Sequence, residues 1–90
     1  MEIETSHGFT VRVRDDAEEY LNDMETFEKL VAIDKGDLHP LPEIVIGLFG
    51  EDGRKDLYAK MREKTGHART WDVVKIISEL LPKIGETAKK

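Results

Sequence analysis

Residues 38–50 read LHPLPEIVIGLFG, a run with one carboxylate and one histidine in a chain of which 37% is Asp, Glu, Lys or Arg. How this run is read decides the fold. Pro40 and Pro42 cannot lie in a helix interior, but Pro42 suits a first helical position. From there Ile44, Val45, Leu48 and Phe49 recur at helical spacing, with Ile46 off the stripe. The spacing predicts a short helix, apolar on most sides, that Gly50 ends or from which it caps the next. Gly47 would let another backbone approach. Such a helix is either core or a surface that holds an apolar partner.

On the N-terminal side, Phe9, Val11 and Val13 alternate with Thr10, Arg12 and Arg14, the period of a half-buried strand. Ile3 and Thr5 suit a first short strand, with Ser6-His7-Gly8 as the turn between them. Asp15 and Asp16, with Glu18 and Glu19 three residues on, have capping-box spacing and open a helical region. Met24, Phe27, Leu30 and Val31 then mark one helix face. The pattern fits one helix over 16–34, or a turn at 16–20 and a helix from Asp23. Asn22-Asp23 favours a break, and the glycine of DKGD (34–37) ends the segment.

On the C-terminal side, residues 51–66 predict a charged helix with a thin stripe of Leu57, Tyr58 and Met61. Glu51 and Asp52 stand at its start, Arg62 and Lys64 near its end, and Gly66 closes it. A last helix follows Thr70, with a wide face of Val73, Val74, Ile76, Ile77, Leu80 and Leu81, and Pro82 ends or bends it. The expected fold is therefore mainly α (α+β). A short N-terminal β-hairpin or strand (1–14) precedes a small bundle of about four helices (15–82) and a flexible polar tail (83–90), in a single domain over 1–90.

The totals limit the function classes. The net charge of −5 divides unevenly: residues 1–52 hold 14 acidic and 4 basic residues, residues 53–90 hold 5 and 10. Such halves pair head to tail between copies or neutralise each other within one fold. With no cysteine there is no disulfide or thiolate site, and the three histidines have no ligand spacing around them. A chain this small gains from association, so a homo-oligomer is expected. No run of roughly 18 apolar residues is present, and MEIETSHGF lacks the basic and apolar regions of a signal peptide. No membrane partner is expected, and the cytoplasm is the expected location.

Nothing in the pattern suggests catalysis. Ser6 and Ser78 have no nucleophile motif, His67 reads as an exposed turn residue, and the paired carboxylates fall at helix starts. GLFGEDG lacks the Lys-Ser/Thr of a phosphate loop, and EDG lacks the spaced ligands of a calcium loop. A non-enzyme with no catalytic residue, cofactor or metal is expected. Arg54, Lys55, Lys60, Arg62, Lys64 and Arg69 are close in sequence, but the acidic half would repel a duplex and the last helix is too apolar to read one. Nucleic acid is not an expected partner. Trp71 at a helix start serves either as a core anchor or as an interface hot spot. The segments 42–49 and 71–84 hold more large aliphatics than one thin helix and one hairpin can cover, which points to a groove or a dimer face.

The order and spacing of these pieces resemble a known family. DMETFEKLVAIDKGD (23–37), LPEIVIGLFGEDG (41–53) and RKDLYAKMREKTGHARTWDVVKIISELL (54–81), preceded by FTVRVRDDA (9–17), are similar to the tail assembly chaperones of long-tailed bacteriophages. In that family an acidic-start helix and an Asp-x-Gly-Asp turn precede a Leu-Pro-opened apolar helix, a charged helix and an apolar last helix. The resemblance implies a non-enzymatic role. Such proteins bind the tape-measure protein, keep it soluble and help recruit the tail-tube protein in the host cytoplasm, and they are absent from the mature virion. The expected client surface is Ile44, Val45, Leu48 and Phe49 with the exposed part of the last helix, namely Trp71, Val74, Ile77 and Leu81. The competing class is a small dimeric protein-interaction or DNA-associated regulatory domain.

Overall fold

Two prolines and a glycine shape the centre of the molecule. In a computed structural model, which describes residues 2–88 and side chains through Ile84, the central helix α3 spans Leu41–Thr65. Pro40 is its N-cap and Pro42 lies in its first turn, where a missing N–H goes unused. Gly50 interrupts it at φ 73°, ψ 175°, a backbone region that is essentially glycine's own. The expected short apolar helix and charged helix are thus two arms of α3, joined at Gly50. Gly66, at φ 84°, ends the second arm, and its N–H donates to the Arg62 carbonyl.

The break at Gly50 receives the N-terminal hairpin. Strands β1 (Glu2–Glu4) and β2 (Thr10–Arg12) pair antiparallel, with Ile3 opposite Val11. The turn between them is closed by the Thr5 N–H and hydroxyl, which both donate to the Phe9 carbonyl. Just past β2, the Arg14 N–H donates to the Leu48 carbonyl at 2.8 Å, at the end of the first arm. Alternation then places Val11 and Val13 in the core.

The region 16–34 is two helices, α1 (Ala17–Leu21) and α2 (Met24–Asp34), with the break at Asn22-Asp23. The capping box expected from Asp16 to Glu19 is not formed. Asp16 gives no side-chain cap, and its Oδ2 accepts instead from Arg14 Nη2 at 3.0 Å. The expected core face of α2 is also corrected. Thr26 and Ile33, two helical turns apart, are its buried residues, whereas Met24 and Phe27 are exposed at 62% and 52%. Helix α1 lies on the first arm of α3: the Tyr20 ring covers Gly47, where any Cβ would overlap it, and the Tyr20 hydroxyl donates to the Glu43 carbonyl. Gly47 therefore admits a ring rather than another backbone.

The last helix, α4 (Thr70–Ala88), buries Val73, Ile76, Ile77 and Leu80 and does not stop at Pro82. Ile84 is buried as well, so residues 83–88 extend the helix in place of the expected tail. Residues 89 and 90, also assigned to that tail, lie outside the described residues. The outer side of α4 clasps the hairpin turn. Glu79 accepts from the Ser6 N–H (2.7 Å) and the Ser6 hydroxyl (3.0 Å), and Lys83 Nζ donates to the Glu4 carbonyl (2.8 Å).

Ile44, Val45 and Leu48 are fully buried and Phe49 is 3% exposed, so the central apolar run is the core itself. Phe49→Asp is expected to unfold the domain. A buried unpaired carboxylate and the lost ring together cost more than about 3 kcal/mol, out of a total of about 5–10 kcal/mol for a domain this small. Loss of the helical circular dichroism signal would check it.

The hairpin clasp responds to pH. The Ser6 N–H first, then the Ser6 hydroxyl and Lys83, hold the Glu79 carboxyl below its ordinary value of 4.5. A depressed folded-state value means that the clasp contributes fully above pH 4.5 and is lost as pH falls through the lower value. A loss of protection of the Ser6 amide on acidification, read as its exchange rate relative to that of an unstructured chain at the same pH and absent in Glu79→Gln, is the expected observation.

Candidate docking groove

On its other side α4 faces α2 across a groove of about 170 Å³. That is well below the roughly 300–1,000 Å³ of small-molecule sites, and it suits a large apolar side chain from a partner. Leu30, Ile33, Leu41, Val74, Ile77 and Leu81 line it. Ile33, Leu41 and Ile77 are buried floor, while Leu30, Val74 and Leu81 are half-buried walls. The α4 wall arises because Val74, Ile77, Ser78 and Leu81 recur at three- and four-residue steps. On α2, Leu30 and Asp34 share the groove side, and exposed Phe27 lies one turn before Leu30 on the same side.

This geometry divides the expected client residues. Ile44, Val45, Leu48 and Phe49 belong to the core and present no surface, because the first arm of α3 is enclosed by α1, α2 and the hairpin exit. Val74, Ile77 and Leu81 come together in the groove. Trp71 is 56% exposed, so it is not a core anchor. It stands one turn before Val74 on α4 and does not line the groove. Leu30, Ile33, Leu41 and Phe27 were not among the expected contact residues. Thr26, Leu30 and Ile33 lie at four- and three-residue steps on one helix face, and Phe27 lies off it, but nothing local marks Thr26 as its centre over the larger Phe27.

The two walls differ in charge. The α4 stripe Trp71, Val74, Ser78, Leu81 is uncharged, while the α2 side ends in Asp34. Between residues 15 and 37 there are nine carboxylates, all exposed, against Lys29 and Lys35. Lys29 is engaged with Glu43 at 2.9 Å, and the second-half cations Arg54 and Lys60 are engaged with Glu51 and Asp56. Among the described residues no three of His, Asp and Glu are placed to hold a metal ion, and no helix is long and apolar enough to cross a membrane.

Comparison with known proteins returned no family model, no curated protein and no solved structure that matches this chain.

Because Trp71 lies outside the core, Trp71→Ala is expected to change unfolding free energy by no more than about 0.5 kcal/mol. Denaturant unfolding checks this, and the single tryptophan should be quenched freely by acrylamide in the unliganded protein.

Proposed function

We propose that this chain is a non-enzymatic tail assembly chaperone of a long-tailed bacteriophage. On this reading it acts in the cytoplasm of the infected host, binds helical segments of the tape-measure protein, keeps them soluble and helps recruit the tail-tube protein. It is not retained in the mature virion. The observation that carries the reading is the α2–α4 groove, an apolar slot, with exposed Phe27 and Trp71 one helical turn before its lining residues Leu30 and Val74. An amphipathic helix docks in such a slot through anchors three and four residues apart. A tape-measure protein is a long helix whose apolar stripe needs cover until the tube surrounds it. The client surface is therefore α4 with α2, and the first arm of α3 supports it from below. A homo-oligomer would bring several grooves to one long client.

The test is co-expression with a tape-measure fragment that is insoluble alone. The fragment should become soluble and co-elute with this protein. Leu81→Asp, at a half-buried wall position, should abolish rescue while the helical circular dichroism stays unchanged. A well-folded chain that leaves the fragment insoluble would overturn the reading. Binding to DNA that weakens steeply with salt would instead favour a DNA-associated regulator.

A further inference from the structure

The groove's charge goes further than its shape. Asp34 is the last residue of α2, and the last turn of that helix carries no basic residue. The carbonyl end of a helix is its negative end, so a carboxylate there adds to the field instead of offsetting it. Lys35 follows in the chain, but among the described residues Asp34 makes no ion pair. Across the groove, Ser78 stands four residues before Pro82, which has no N–H to give the Ser78 carbonyl. The rim thus holds a carboxylate, a helix C-terminus and a carbonyl without its usual helical donor. No cationic side chain lines the groove with them.

We propose that the partner helix of this groove is cationic on one flank: an amphipathic helix whose apolar stripe sits on Val74 and Leu81 and whose Lys or Arg reaches Asp34. This rests on the groove being the client site and adds the chemistry of the client. The apolar contact supplies affinity, and the unbalanced rim selects charge and orientation. The orientation follows because only the α2 wall is acidic. A helix docked the other way round would set its cations against the uncharged α4 stripe. The net charge of −5, concentrated in the first half, attracts the same partner from a distance.

Two synthetic helices with one leucine stripe test this, one flanked by lysine and one by glutamate, followed by fluorescence anisotropy against the full chain at low salt. The lysine helix should bind about tenfold more tightly. Asp34→Asn, at an exposed position, should lower its affinity about threefold, the size expected of one partly exposed charge pair. Asp34→Lys should move the preference toward the glutamate helix. Ser78→Arg, also exposed, should block both helices without unfolding the domain. An unchanged preference in both Asp34 variants overturns the proposal, because net charge alone would then do the selecting. Unaltered binding in Ser78→Arg overturns it too, as does a dimer in sedimentation that the same variant dissociates, since a second copy would then fill the groove. Rescue of the tape-measure fragment without a lysine preference would sink this inference and leave the chaperone reading. A lysine preference without rescue would do the reverse.

Discussion

The structure depends on one hydrogen bond at one discontinuity. Gly50 turns the chain out of helical geometry, and the Arg14 N–H takes up the Leu48 carbonyl beside that break. An unbroken helix would keep that carbonyl for its own ladder and leave no place for the chain leaving β2. With the break, the hairpin exit is keyed into the middle of α3. The first arm is then free to sink into the core at an angle of its own. That is how so polar a chain holds a largely apolar helix: α1 and α2 pack on it, and the hairpin exit seals its end.

Much of this was legible because prolines, glycines and short polar side chains mark boundaries by local chemistry. Pro42, Gly50, Gly66 and Asn22-Asp23 each stand where the structure changes direction, and each does so for a reason internal to a few residues. Orientation was less legible. Phe27 and Met24 are larger and more apolar than Thr26, yet Thr26 faces inward, because the rotation of α2 is set by Ile33 and by packing on α3. Pro82 reads as a stop, but Ile84 has a place in the core, and its burial carries the helix past the proline. The groove was half legible. Its α4 side, Ile77 included, is a local periodicity, whereas Leu30, Ile33 and Leu41 stand some forty positions earlier, and no local pattern brings the two together.

The position of the apolar run explains how the site residues divide. The apolar stripe of a helix must be enclosed, so Ile44, Val45, Leu48 and Phe49 could not also serve as a surface. Helix α4 has a wide apolar face, and the core uses only its centre. The flank left over, Val74 and Leu81 beside the floor residue Ile77, forms the slot against α2. The acidic residues of α1 and α2 lie outside the core and do not affect the enclosure. They are free to set the field around the slot.

The clasp between the hairpin and α4 also has a consequence in time. Glu4 and Ser6 find their partners at Lys83 and Glu79, more than seventy residues away. During synthesis the two strands emerge well before α4, and an isolated hairpin is marginal in water. Its exit is already anchored on α3 by the Arg14–Leu48 bond, but its turn gains the Ser6 and Glu4 contacts only when α4 has left the ribosome. Until then α1, α2 and α3 can gather around the central apolar run, while the α4 half of the slot does not yet exist. The slot between α2 and α4 is therefore completed in the same late step that secures the hairpin turn.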